Sequence, residues 1–344
     1  MTPPLDLLTE LEPTVARLLD RHLAAAPVWF PHAYIPWSHA TDFDGPLDGT
    51  PWRAEQSGLP QAVADALTIN LLTEDNLPSY HFEIATQFGR DGAWGAWVHR
   101  WTAEEDRHAQ ALRGYLHARR CVDPIALEHQ RMRHVSTGYT SNHASLLHGL
   151  AYVTVQELAT REAHRNTGLA CTDPVARQLT TRIAADENLH MIFYRDLYTT
   201  AMELDPDGAV CALADAICAF DMPGTTIPGF RQRALRIAAS GIYNLDVHHR
   251  HVLRPLLRAL GVLTRPSLGS AGEQARDRIG RHLDELQRRA ERSSRLFERW
   301  REAAPAAPPA GPGSSVRHDE IRYGEIRYDE IRCDEIRHDE KGGR

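Results

Sequence analysis

The residues of this chain that could do chemistry lie first in two short echoes. Glu105-Asp106-Arg107-His108 and Glu187-Asn188-Leu189-His190 each read Glu-x-x-His. On a helix, positions i and i+3 share a face, so each copy aims a carboxylate and an imidazole at one point. The copies lie 82 positions apart, room for a helix out, a helix back and their connections. One such motif is expected by chance in a chain with 19 His and means little alone. Here both copies carry an acid immediately before the Glu, Glu104 and Asp186, inside long helical patterns. Buried charge is costly unless paired or metal-bound. Two such helices facing each other bring two Glu and two His to a shared centre. One Glu from each of two further helices would complete a carboxylate-bridged pair of metal ions.

Both further glutamates can be named. From Gln61 the spacing turns helical through Val63, Ala66, Leu67, Asn70, Leu71 and Glu74. Glu74 falls on the apolar stripe, and Pro78 follows four residues later, so the helix should bend there. The competing reading ends the helix near Pro78, with Glu74 in a solvated last turn. Glu157 sits among apolar neighbours in the pattern from Tyr139 to Asn166. The candidate metal ligands are therefore Glu74, Glu105, His108, Glu157, Glu187 and His190.

These residues need helices to hold them, and the chain supplies little else. Leu5 to Ala26 reads as one or two helices interrupted at Pro13. Pro27 to Pro60 is a long irregular segment, a feature usually tied to function. Gly92 to Arg119 carries the first motif. Pro124 to Val135 is a short helix. Asp173-Pro174 and Asp205-Pro206 each place Asp at a cap and Pro just inside, starting helices that run, the first to Tyr198 or as far as Leu204, the second to about Met222. Phe230 to Leu260 and Gly269 to Ala304 read as helices too. No strand pattern is convincing. The expected fold is all-α: a ferritin-like four-helix di-iron bundle with flanking helices, spanning residues 1–304. Residues 305–344 read as a Pro/Gly linker and a tail repeating Asp-Glu-Ile-Arg. A five-residue period lines no face of a helix or strand, so disorder is expected there.

Composition narrows the function. A net charge of −7 argues against a nucleic-acid binder. No apolar run approaches a membrane span, and the first residues resemble no secretory signal. Five scattered cysteines without CxxC fit reduced thiols in a cytoplasm, with Cys211 and Cys218 as plain core residues.

Together the motifs resemble a known family. Thr73-Glu74-Asp75-Asn76-Leu77-Pro78-Ser79-Tyr80, Trp101 through His108, Gln156-Glu157 with Ala159-Thr160 and His164-x-Asn166-Thr167, and Asp186-Glu187-x-x-His190 are similar, in order and spacing, to the soluble acyl-acyl-carrier-protein desaturases. This is the plant stearoyl desaturase family and its actinobacterial relatives. The resemblance covers roughly residues 5 to 300, with Asp205-Pro206-Asp207-Gly208 also matching. It implies two iron ions, bridged by Glu105 and Glu187 and capped by Glu74 and Glu157. It implies Thr160 beside an oxygen-binding face, and Trp29 and Asp186 on an electron-entry route toward His108. It also implies a cis double bond placed in an acyl chain on acyl-carrier protein, with electrons from ferredoxin, consumption of O2, and a homodimer. Asn188-Leu189 replaces the family's usual Lys-Arg, Leu158 replaces an Arg, and the repeat tail is foreign to it.

The chemistry also stands by itself. Removing hydrogens from unactivated C–H bonds is beyond any side-chain acid or base and calls for an oxygen-activating metal. Carboxylate-rich ligation suits hard, oxophilic iron. Second acids fix histidine tautomers, so Asp186 should bond His108 and Glu104 should bond His190. On pattern alone, Trp29 is a packing aromatic before it is an electron conduit. Thr160 reads equally as a helix hydroxyl bonding its own turn. His164 reads as structural and Trp101 as core packing. Competing functions are another di-iron class, such as a ligand-binding oxidase or radical-generating subunit, and a non-catalytic iron- or chain-binding paralogue.

Overall fold

The computed structural model describes residues 6–303 except Asn142; the Asp-Glu-Ile-Arg tail lies outside the described residues. The described chain is helical, and its one β-type contact is an isolated bridge between Phe43 and Thr50. Four helices form a closed ring: α2 (Gln61–Glu74), α4 (Gly92–Ala118), α7 (Pro174–Leu204) and α6 (Leu146–Ala170). Each packs on the next, and α6 packs back on α2. Gly168 lets α6 approach α7 closely: a Cβ there would lie 2.2 Å from Thr180 Oγ1.

The remaining helices cover this ring. α1 (Leu7–Ala25) lies against α4 and α7. It is continuous through Pro13, contrary to the interruption read from sequence. Pro13 sits on the exposed face, where water can take the freed Thr9 carbonyl, and the buried stripe Leu11, Val15, Leu18, His22 runs on past it. α3 (Leu77–Phe88) and α5 (Pro124–Thr137) follow α2 and α4. Capped by Asp205, which accepts from the Gly208 amide, α8 (Pro206–Cys218) packs on α6. Cys211 and Cys218 sit on it half-buried rather than in the core. The stretch Phe230 to Leu260 is not one helix: α9 (Phe230–Ala239) ends at a turn with Gly241 at φ 80°, beyond which α10 (Leu245–Val247) leads through a π-helical segment, His248–Leu253, into α11 (Arg254–Leu260). α12 (Ser270–Ala303) lays Ala275, Ile279, Leu283, Leu286 and Ala290 on α8 and α10.

The long segment before α2 is short 3-10 turns pinned by one cation. Buried Arg120 donates to the carbonyls of Thr41, Asp42 and Thr50, while Trp52 Nε1 donates to the Arg120 carbonyl. Trp29, at the start of this segment, turns inward, 6% exposed, and donates Nε1–H to Asp186 on α7.

Candidate metal centre

Each ring helix turns carboxylates or imidazoles inward at one level: Glu74 from the end of α2, Glu105 and His108 from α4, Glu157 from α6, Glu187 and His190 from α7. At Pro78 the chain breaks rather than bends. α2 stops at Glu74, Asp75 and Asn76 form a turn, and α3 restarts at Leu77 with Pro78 in its first turn. Glu74 nonetheless points inward, its side chain 10% exposed.

Potential ligand atoms fall into two groups: Glu74, Glu105, His108 and Glu187, and Glu105, Glu157, Glu187 and His190. Glu105 and Glu187 belong to both. Glu105 places one oxygen 3.2 Å from His108 Nδ1 and the other 2.8 Å from His190 Nδ1. Glu187 spans the same two nitrogens at 3.6 and 4.0 Å. Glu74 lies only on the His108 side, at 4.0 Å, and Glu157 only on the His190 side, at 3.5 Å.

Each imidazole is held from behind. Asp186 Oδ2 lies 3.4 Å from His108 Nε2, and Glu104 Oε2 lies 2.9 Å from His190 Nε2. Spending Nε2–H on an acid leaves Nδ1 facing the carboxylates. Each acid has its own support. Asp186 accepts from Trp29 Nε1 at 2.6 Å and from Arg182 at 2.5 Å. Glu104 is 2.9 Å from His22 Nε2 and accepts from Arg100 Nε at 2.6 Å. The Trp29 ring stacks parallel to His108 at 6.3 Å, with the Arg107 guanidinium 5.0 Å above it. His22, Glu104 and His190 form a third close group, but both Nε2 atoms and the carboxylate are already committed to one another and to Arg100.

Further contacts position the ligands. Trp101 Nε1 donates to Glu157 at 3.0 Å, and Thr160 Oγ1 to Glu187 at 3.2 Å as well as to its own turn at the Gln156 carbonyl. His164 Nε2 lies 3.3 Å from Glu74 and its Nδ1 3.3 Å from the Asn70 amide. Burial, with His108 beside it, holds His164 down to about 3. It is therefore neutral, donating to Glu74 and accepting from Asn70. His22 and this contact of His164 escaped the sequence reading. A signal existed for His22, which continues the α1 stripe at i+4 from Leu18. Arg100 and Arg182 each precede their acid by four residues, a parallel visible in both motif copies.

The carboxylates of this centre crowd one another. Burial first, then the Glu105 charge, pushes Glu74 and Glu187 well above the usual carboxylate range. Burial alone would lower His108, but Glu105, Asp186 and Glu74 raise it to about 10. Glu157 Oε2 and His190 Nδ1 are buried and make no well-aligned hydrogen bond, although a Glu105 oxygen lies 2.8 Å from that nitrogen. Four carboxylates and two inward nitrogens are a donor set that could hold hard cations. A cavity of about 740 Å³, its opening included, reaches Glu74, Glu105, Glu187 and Thr160 and is walled by Leu77, Ile84, Phe88 and Val153.

Residues 4–306 match the family model described as fatty acid desaturase. A Mycobacterium tuberculosis protein named for an acyl-acyl-carrier-protein desaturase, DesA1, is 46% identical over 291 residues, covering 82% of this chain and 86% of that one. Its counterpart DesA2 is 35% identical over 267 residues, covering 77% and 96%. An Arabidopsis thaliana protein named stearoyl-acyl-carrier-protein 9-desaturase 6, chloroplastic, is 34% identical over 200 residues, 54% of this chain and 49% of that one. The X-ray structure of DesA2 from M. tuberculosis H37Rv superimposes with a TM-score of 0.64 at 30% identity, covering 78% of this chain and 98% of that one. A helical ring closed around a carboxylate–imidazole centre, with an apolar cavity at its side, is carried here by a chain that belongs to the acyl-acyl-carrier-protein desaturase type of the fatty acid desaturase family.

Proposed function

We propose that the protein introduces a cis double bond into a saturated acyl chain carried on acyl-carrier protein, consuming O2 and electrons from ferredoxin. Glu74, Glu105, His108, Glu157, Glu187 and His190 would hold two iron ions, with Glu105 and Glu187 shared between them. The observation that carries this reading is that both shared carboxylates span both inward nitrogens beside an apolar cavity. The iron pair would supply activation of dioxygen, the oxidising power needed to remove hydrogen from an unactivated C–H bond.

The chain's own residues do the rest. Leu77, Ile84, Phe88 and Val153 hold the alkyl chain and exclude water from the centre. Thr160 presents its hydroxyl where the cavity meets Glu187. It can hold a proton there, releasing its own-turn bond to Gln156. Trp29, Asp186 and His108 form a continuous bonded path from the irregular segment to the centre, suited to electron entry. Glu104, Asp186 and His164 orient ligands and keep their tautomers. No helix among the described residues is long and apolar enough to cross a membrane; we read the protein as a cytoplasmic homodimer, as the resemblance of its motifs to the desaturases implies.

The test is turnover. Iron-loaded protein is incubated with stearoyl-carrier protein and shorter and longer homologues, ferredoxin, its reductase, NADPH and oxygen, and the chains are analysed. An unsaturated product with one double-bond position is expected. Binding of iron and chain with no product at any length would instead favour a non-catalytic binder.

A further inference from the structure

The cavity beside the centre is not apolar throughout. α3 and α6 run along it away from the metal ligands. On α3, Leu77 to Gln87 spans about 15 Å at 1.5 Å per residue, and on α6, Thr160 back to Gly149 spans about 16 Å. The two rulers meet: Gly149 faces Gln87, whose Oε1 lies 2.3 Å from where a Gly149 Cβ would sit. A side chain at Gly149 would push that amide oxygen aside. At this distal part the wall carries Glu83, Gln87 and Ser141 beside Phe88.

These three polar groups form one chain of hydrogen bonds. Ser141 donates its backbone N–H at 3.0 Å and its hydroxyl at 2.6 Å to Glu83 Oε2. Gln87 Nε2 donates to Ser141 Oγ at 2.6 Å. The donors are thereby largely spent on one another. Two acceptors are left over, Glu83 Oε1 and Gln87 Oε1, which take no hydrogen bond from any described residue. A methyl terminus lying here would strip water from both and return nothing. A hydroxyl would donate to one of them.

We propose that this Glu83–Ser141–Gln87 recess is a specificity element, which selects acyl chains bearing a hydroxyl in the portion beyond the reacting carbons over plain alkyl chains of equal length. The proposal rests on the acyl-desaturase reading of the cavity, and its test is chosen to fail separately from that reading. In metal-loaded protein without reductant, displacement of a fluorescent fatty acid is measured with plain and terminally hydroxylated fatty acids of matched length. The hydroxylated acid is expected to displace the probe at concentrations lower by about tenfold or more, since a site built to bond a hydroxyl discriminates sharply against its absence. Glu83→Leu should abolish the preference. Because Glu83 also holds Ser141, Gln87→Leu serves as the second variant; it leaves that contact intact and should cut the preference to threefold or less. Equal displacement by the two acids in the unaltered protein would overturn the proposal, as would a preference unchanged in both variants. Desaturation of plain chains without any preference would overturn the recess and leave the activity standing. Preferential binding without turnover would do the reverse.

Discussion

Glu187 is the residue whose two tasks separate most cleanly. Its carboxyl is pushed well up by burial and by the neighbouring Glu105 and Glu157 charges, which favours its uncharged form in the metal-free protein. Glutamine has the same shape as a neutral carboxylic acid and can keep the Thr160 bond. Glu187→Gln should therefore leave metal-free stability within about 1 kcal/mol while dropping iron from the proposed two ions per chain to fewer than one. Melting of chelator-treated protein beside elemental analysis checks both halves. The acids behind the imidazoles act at one remove. Glu104→Gln loses a charge shared by His190, His22 and Arg100. It should weaken iron binding by about 10–100-fold, the usual size of such outer contacts, as read by competition with a chelator. Asp186→Asn should act alike through His108. Neither should displace the helices, since both acids are joined by side chains rather than backbone.

At the scale of the element, Pro13 is an uncompensated cost. It deletes one hydrogen bond from the middle of α1 on its exposed face. Pro13→Ala should stabilise the protein, by up to about 3 kcal/mol, measurable by urea denaturation; a loss would mean the proline shapes α1 in a way its burial pattern does not show. A second element carries the acid sensitivity. His248, in the π-helical segment, and His282, on α12, are buried; burial first, then neighbouring histidines for His248 and Arg289 for His282, hold them down to about 3 and about 4. The fold thus keeps both neutral, while the unfolded chain protonates them near 6.5. Stability from this source is complete above that pH and is lost as pH falls below it. The slope should be about 1.4 kcal/mol per pH unit for each histidine down to its folded value. His282→Leu should flatten the fall between pH 6 and 4 in a series of denaturation curves.

The helices were legible where local rules act alone: Asp173-Pro174 and Asp205-Pro206 announced their caps, and the Glu-x-x-His spacing announced α4 and α7. What lay beyond local rules was tertiary. Pro78 suits either a kinked helix or the first turn of a new one, and only packing of α3 against α4 decides. His22 escaped the sequence reading, although it lies four residues beyond Leu18 on the buried stripe of α1. Its role at Glu104 needs α1 laid across α4 and α7. The fold of the segment before α2 is dictated by Arg120, some 70 residues from Thr50 in sequence, a pairing no window could contain.

For the molecule as a whole, helix α12 ends at Ala303 and the family match at residue 306. The core is closed by contacts among the described residues. Removing residues 307–344 should therefore leave melting temperature and iron content unchanged; a shift of either would assign the repeat tail a part in the fold or the site. The ring of α2, α4, α6 and α7 exists to gather six side chains into two overlapping groups, and everything proposed for function depends on that. Anomalous diffraction at the iron edge from iron-loaded crystals measures it directly. Two adjacent peaks are predicted, one among Glu74, Glu105, His108 and Glu187 and the other among Glu105, Glu157, Glu187 and His190. A single peak, or density at the His22–Glu104–His190 group instead, would contradict it.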